Sequence, residues 1–552
     1  MCRKVLAFFL LFLLLLLILF QGCQNEVDSK NKLPRLIVSI VVDQMRADHL
    51  TRYSEVYKYG FTRLAKKGAV FTNAHQDHGY TVTGVGHATI STGCFPSRHG
   101  IIGNDWYDRE LAEKVYCCED REAPLLGYSN QKTEDGRSPR NLLTSTLGDW
   151  LKEAYPESKV FGVARKDRAA IFSTGPNADG AYWYNDADGN LITSEYYADA
   201  YPEWVNAFNQ SRVVDQYFET GWHKLLPSED IYQQFAREDD FAGEGESNTF
   251  PHLLNEKSQW PDKAYYGALK ETPFCEELMF AFAKEAIRNE KLGADATPDL
   301  LFVGCSAADA IGHRYGPFSQ EALDYYIRLD QYLGKFFEFL DAEVGSENYI
   351  VMLSSDHGVM PLPEELIRQG LPAKRINSKE RSARFKKIVK MVAAEFDLDE
   401  KLILAKRAGG LYINYPAMEK SGIDPATLEK RIIEKVLELE SIQAVYTKDE
   451  LLNNDKNGQK YFEQYQRSFN PGRSGDLIIQ GKEYYLAKTK SGTTHGSPYD
   501  YDTHVPLIFL GAGIPSGKIN SKARTADIAP TLANLLGISP SNEIDGINLL
   551  PR

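Results

Sequence analysis

The sequence predicts an α/β fold: a mostly parallel central sheet flanked by helices, with two large insertions. Three observations predict it. Apolar runs of strand length alternate with longer amphipathic stretches along the chain. Four of the five main runs end near acidic, basic or imidazole side chains. Two long stretches, at about 175–290 and 362–490, break the alternation.

The N-terminus precedes all of this. Arg3 and Lys4 introduce an unbroken apolar run from Val5 to Phe20. At about 1.5 Å per residue it is marginally short for a bilayer core of about 30 Å. A basic start before an apolar stretch reads as an export signal. The run closes on Phe20-Gln21-Gly22-Cys23, which resembles a bacterial lipoprotein cleavage box, although Phe20 and Gln21 depart from it. Residues 1–22 are therefore expected to be a lipoprotein signal peptide, Cys23 the lipidated first residue and 23–34 a polar tether. The competing expectation is a retained membrane anchor or plain secretion. The expected location is the periplasm or outer membrane, with the lipid at Cys23 as the one membrane contact.

The first strand is RLIVSIVVD, 35–43, ending in Asp43. YTVTGVGHATISTG, 80–93, follows as a loop and helix with Thr83 near its start. A helical pattern, RNLLTSTLGDWLKEAY, leads to the strand SKVFGVA, 158–164, which ends before Arg165-Lys166-Asp167-Arg168. DLLFVGCSAAD, 299–309, is the third strand run, and a long amphipathic helix, EALDYYIRLDQYLGKFFEFLDAEV, leads to the fourth, NYIVMLSSDHG, 348–358. VPLIFLG, 505–511, is the fifth, and TADIAPTLANLLGI closes the chain as a helix on the sheet. The first insertion is rich in Trp, Tyr, Asp and Gly; the second carries a basic helix, KRINSKERSARFKKIVKMV, and short strands such as GDLIIQ.

Composition limits the function classes. With 43% hydrophobic residues the chain has ample material for a core, so a disordered protein is excluded. A net charge of −13 argues against nucleic acid as a partner. It does not exclude an anionic substrate, because metals and a few cations reverse a local field. Of seven cysteines, Cys2 lies in the leader and Cys23 directly after it; the five left in the body are an odd number, and their spacing suggests no disulfide framework. Cys117 or Cys118 pairing with Cys275 or Cys94 stays open.

The strand ends collect metal-binding residue types. Asp43 ends the first strand; Asp309 and His313 follow the third at helical i, i+4 spacing; Asp356 and His357 follow the fourth; His495 precedes the fifth. Taken singly each is ordinary: an Asp after a strand usually caps a helix or shapes a turn. Taken together, three carboxylates and three imidazoles suit a pair of zinc ions with open positions for substrate. Thr83, at a helix start, is placed for an anion and for activation by a metal. Its ordinary reading is a helix cap, and Thr81 is a rival in the same loop.

The motifs VVDQMR, TGVGHATISTG, HGIIGND, KDR, DAIGHRYGP, SSDHG and GTTHG occur in order over nearly the whole chain. In this set the chain resembles the alkaline phosphatase superfamily, in the threonine-nucleophile branch related to nucleotide pyrophosphatase/phosphodiesterases. It is most similar there to the phosphate-irrepressible (PafA-type) alkaline phosphatases. The resemblance implies an alkaline phosphatase-like catalytic domain over 35–552 and two Zn²⁺ per chain. One zinc would be held by Asp309, His313 and His495, the other by Asp43, Asp356 and His357, with Thr83 attacking from the second. Asn104 would bond a phosphoryl oxygen, and Lys166 and Arg168 resemble the cation pair that marks monoesterases. A cation pair suits a monoester, whose non-bridging oxygens carry more charge than those of a diester. The expected substrates are phosphate monoesters over a broad range, hydrolysed through a phospho-threonine by a monomer. No other cofactor is implied.

TGCFPSRHG raises a rival, because Cys94-Phe95-Pro96-Ser97-Arg98 resembles the sulfatase signature whose cysteine becomes the nucleophile. Cys94 lies after the Thr83 helix rather than at its start, and the histidines argue for zinc over a calcium site of oxygen ligands. Cys94 therefore reads as a helix-end residue. Two further rivals keep the same residues: a phosphodiesterase using the same metals and threonine, and a zinc-binding surface protein without turnover.

Overall fold

The computed structural model describes residues 33–128, 132, 135–246, 248–256, 258–398, 401–456 and 458–551. The expected signal peptide and Cys23 lie outside them. No described helix is long and apolar enough to cross a membrane.

Nine strands form the central sheet. In chain order they are β1 (Leu36–Val42), β2 (Ala69–Phe71), β3 (Val160–Ala164), β4 (Gly180–Tyr184), β5 (Leu191–Ile192), β6 (Asp299–Cys305), β7 (Tyr349–Ser354), β8 (Leu507–Gly511) and β9 (Gly517–Ile519). Their spatial order is β9-β2-β8-β7-β1-β6-β3-β4-β5. The inner run β7-β1-β6-β3-β4 is parallel, while β8 runs against β7 and β2, and β5 against β4. The helices that matter for the site are α1 (Thr83–Thr92), α2 (Asp167–Thr174), α3 (Phe274–Glu290), α4 (Ala307–Tyr315), α5 (Gln320–Glu343) and α6 (Ile528–Leu536).

All seven residues of β1 are buried. Alternate side chains go to opposite layers: Leu36, Val38, Ile40 and Val42 enter one core, Ile37 and Val41 the other. Helices cover both faces, so the strand needs no polar side and reads as apolar sequence apart from the buried Ser39. Each such side chain contributes about 1.5–3 kcal/mol on burial.

Register decides where function can gather. Val42 lies opposite Cys305, Val41 opposite Ser354, and Ala164 opposite Gly304. The residues that follow these strands therefore leave the sheet at one edge, where ligands collect in open α/β sheets. Because β8 is antiparallel, with Leu507 opposite Ser354, its beginning lies at that same edge.

The two interruptions differ. The stretch at 175–290 contributes β4 and β5 to the sheet and α3 to the main core. Its aromatic composition masks a strand, Gly180–Tyr184, that pairing with β3 stabilises. The stretch at 362–490 holds a separate antiparallel sheet ordered Ile403–Arg407, Gly410–Ile413, Leu477–Gly481, Ile442–Thr447. Ile388, Val392, Leu428, Ile432 and Val436 give it its own core.

One buried acid carries a pH-dependent cost. Glu321 at the start of α5 is fully buried, lies 3.0 Å from His252 Nε2, and has no partner for Oε2 among the described residues. Burial pushes its carboxyl up to about 8 and holds His252 down to about 4. The folded state thus keeps a proton on Glu321 that the unfolded chain, with a carboxyl pKa of about 4.3, releases. This contribution falls as pH rises between those values, by at most about 1.4 kcal/mol per pH unit. His252 acts in the opposite sense up to its unfolded pKa of about 6.5, so the net fall belongs to the range from there to about pH 8. Glu321→Gln, whose amide can donate to His252, should flatten that slope in denaturant titrations and raise stability at pH 8.

Candidate active site

The expected ligands converge at the sheet edge. Asp43, Asp356 and His357 place one donor atom each within 4.8 Å of one another, and so do Asp309, His357 and His495. His313 faces the same carboxylate, with Nε2 3.2 Å from Asp309 Oδ1, because one turn of α4 separates the two residues. Each ring is aimed by its other nitrogen. Nδ1 of His313 bonds the Thr493 carbonyl, that of His357 the Gly358 carbonyl and that of His495 the Thr81 carbonyl, at 2.9, 3.0 and 2.7 Å. Such backbone bonds leave Nε2 free in the neutral ring, as a metal ligand requires.

The donor set fits a metal pair. Asp43 Oδ1 and His357 Nε2 are buried, 3.5 Å apart and without a hydrogen-bond partner among the described residues. Burial, then Asp356, pushes the Asp43 carboxyl up. Burial acts the same way on Asp309, but Lys166 and His313 outweigh it and hold that carboxyl well below its usual range. Buried carboxylates and imidazoles in this arrangement call for cations, and mixed O/N donors suit zinc.

Thr83 is the first residue of α1, with Val82 as the cap, so its hydroxyl is not used in capping. It accepts from Lys166 Nζ at 3.0 Å and from Arg168 Nη2 at 3.4 Å. Lys166 also reaches Asp43 Oδ2 at 2.5 Å and Asp309 Oδ2 at 2.7 Å, so it stands between the two ligand groups. Arg168 is held from behind: Nη1 donates to the Tyr116 hydroxyl, which donates to Asp167, which accepts from Arg137 Nε. The Asn104 carboxamide oxygen accepts from Gly84 N at 2.9 Å, which leaves its NH₂ to donate. Thr81 has a different task. Its hydroxyl bonds Ser497 and its carbonyl orients His495.

A family profile described as "Type I phosphodiesterase / nucleotide pyrophosphatase" matches residues 37–505. The chain belongs to this family. Within it, the chain is 36% identical to the alkaline phosphatase PafA of Elizabethkingia meningoseptica over 93% of both chains. It is 35% identical to the alkaline phosphatase PhoV of Synechococcus elongatus, over 93% of this chain and 92% of that one. A crystal structure of wild-type PafA superposes with a TM-score of 0.86, covering 94% of this chain and 98% of that one. The fold and the PafA-like alkaline phosphatase membership follow. A second PafA structure is of a variant substituted at a threonine, an asparagine, a lysine and an arginine, whose mutual spacings are those of Thr83, Asn104, Lys166 and Arg168.

Within this phosphatase framework several residues escape a reading by strand ends. Gln44 takes a positive φ of 67°, donates from its backbone to Asp356 and from Nε2 to Asp309, and so ties the two ligand groups. Gly312 leaves room for it, since a Cβ there would lie 1.9 Å from Gln44 Oε1. His87 is buried with Nδ1 3.3 Å from Asp356 Oδ2 and 3.0 Å from the Thr83 carbonyl. Its place in TGVGHAT, one helical turn after Thr83, is the signal the sequence offers. Neither His99, bonded to Thr89, nor His504, bonded to the Thr72 carbonyl, joins the site. Cys94 is buried past the end of α1 and its thiol is pushed up to about 11, chiefly by burial. It is no nucleophile, and all five cysteines among the described residues are free thiols.

Proposed function

We propose that this chain is a zinc-dependent alkaline phosphatase that hydrolyses phosphate monoesters through a phospho-threonine intermediate. The observation that carries the reading is Thr83: a hydroxyl at a helix start, free of capping, between Lys166 and Arg168 and beside both ligand groups. We assign Asp43, Asp356 and His357 to one zinc and Asp309, His313 and His495 to the other. His357 lies within reach of both groups, but only its Nε2 is available, 3.5 Å from Asp43 and from Asp356. Zinc, when bound, supplies Lewis acidity that favours an ionised hydroxyl and stabilises charge on the leaving oxygen.

The protein's own groups do the rest. Thr83 Oγ1 forms a bond to phosphorus as the ester P–O bond breaks, and the leaving alkoxide takes up a proton. Water then attacks the phospho-threonine, releasing inorganic phosphate and restoring the hydroxyl. Lys166 and Arg168 stabilise the non-bridging oxygens, Arg168 in a geometry that Tyr116 and Asp167 preset, and Asn104 adds a neutral donor. Export with lipid attached at Cys23, residence in the periplasm or outer membrane, a monomeric state and a catalytic domain over 35–552 belong to the same reading.

The test uses the soluble form beginning after Cys23, loaded with zinc. An aryl phosphate monoester should exceed its matching diester strongly in kcat/KM. A preference for the diester would place the chain with phosphodiesterases, as the family's description allows, and remove Lys166 and Arg168 as the determinants of monoester hydrolysis. Chelation should abolish turnover and lower Tm, and zinc should restore both. At free zinc about 1,000 times Kd, the stabilisation by one site is about 4 kcal/mol.

A further inference from the structure

A cavity of about 500 Å³ opens beside His495 and runs under the 362–490 stretch. His495 and Gly496 of the site line it, and so do Arg381 and Lys406. The turn at 407–410 is seated on the phosphoryl-binding loop: Arg407 pairs with Asp105 at 3.3 Å, next to Asn104, and a Cβ on Gly103 would lie 2.9 Å from the Ala408 Cβ. The inserted sheet is thus docked beside the loop that carries Asn104.

The charge of this cavity runs against that of the chain, which is −13 overall. Its carboxylates are Asp105 and Asp502. Asp105 is paired with Arg407, and Asp502 accepts from the backbone of Gly496 and Ser497 and from the Ser497 hydroxyl. Among the described residues lining the cavity, no carboxylate stands against Arg381 or Lys406. Burial lowers the Arg381 pKa, and the Arg381 charge acts in the same direction on the neighbouring Lys406. Lys406 is exposed to solvent and lies 4.8 Å over the Phe385 ring. Two neighbouring cations without a counter-charge, lining the same cavity as His495, are placed for an anion that arrives with the substrate.

Building on the phosphatase reading above, we propose that this cavity receives the leaving group and that Arg381 and Lys406 bind a second phosphoryl group carried on it. The preferred substrates are then phosphate monoesters of alcohols that bear another phosphate. Neither residue touches the reacting atoms, so the effect is one of substrate choice.

The experiment compares kcat/KM for a series of alkanediol bisphosphates and the matching alkanediol monophosphates on the zinc-loaded enzyme. The wild type should favour one bisphosphate by about tenfold or more, the scale of 1.4 kcal/mol from two partly desolvated cations. In Arg381→Gln/Lys406→Gln the ratio should fall to the statistical factor of about two, with monophosphate turnover unchanged. Arg381→Glu/Lys406→Glu should turn the preference against the bisphosphate. Both side chains reach solvent, so unchanged monophosphate turnover also reports an intact fold. A wild-type ratio near two across the series would overturn the proposal, as would equal losses on both substrates in the variants. Failure of the wild type on every monophosphate would instead overturn the phosphatase reading, and this proposal with it.

Discussion

Thr83→Ala should lower kcat/KM for an aryl phosphate by about 10⁴-fold or more, while Thr83→Ser retains most of the activity. The alanine removes the one oxygen placed against both Lys166 and Arg168 at the start of α1. Serine keeps that oxygen and loses only a methyl group from a fully packed position, as Thr83 is 1% exposed. Two readouts separate loss of the nucleophile from loss of the site. Zinc stoichiometry should be unchanged in Thr83→Ala, because the six Asp and His ligands remain and Thr83 adds only one further oxygen to one zinc. Acid quenching during turnover should leave phosphate on Thr83 in the wild type and none on the alanine variant. Alanine activity within tenfold of the wild type would end the phospho-threonine mechanism.

The second large effect is selective. Lys166→Ala/Arg168→Ala should lower monoester kcat/KM by about 10³-fold or more, since one preorganised donor alone is worth about 10²–10³. Diester hydrolysis should change much less, because a diester presents fewer charged oxygens to the pair. Lys166 also bridges Asp43 and Asp309, so its loss leaves two buried carboxylates to repel one another. Assays therefore belong at saturating zinc, where bound metal replaces that charge. Arg168→Ala alone is the cleaner probe, because Arg168 contacts Tyr116 and Asp167 rather than the ligand groups. Equal losses on monoester and diester would show that the pair does not separate the two activities.

Much of the fold was legible in the chain because its inner strands are covered on both faces. β1, β6 and β7 are mostly apolar runs, broken inside only by Ser39 of β1, that stop at or just before a charged or polar residue, and such runs survive any choice of neighbour. Asp43, Asp309, Asp356 and His357 were legible for the same reason: they follow strands, and following a strand is a local property of sequence. Their i, i+4 and adjacent spacings are local too. The resemblance carried by the ordered motifs added Asn104, Lys166 and Arg168, whose residue types alone would suit a surface loop.

Other features depend on contacts that no local pattern encodes. β4 is an aromatic segment whose strand character comes from pairing with β3. Gln44 and His87 act on Asp309 and Asp356, which are 265 and 269 positions away in the chain. The role of Thr81 as an orienter of His495 spans 414 positions. The cavity beside His495 exists because an inserted sheet with its own core settles on Gly103 and Asp105. Sequence by itself determined which strands would be buried and which chemically capable residues would sit at their ends, because burial and helical spacing are properties of neighbouring residues. Only the tertiary structure decided which carboxylates share a charge, which nitrogen of each imidazole is free, and which cations line the cavity beside His495. Those are matters of distance across the sheet edge, and distance there is set by register and packing.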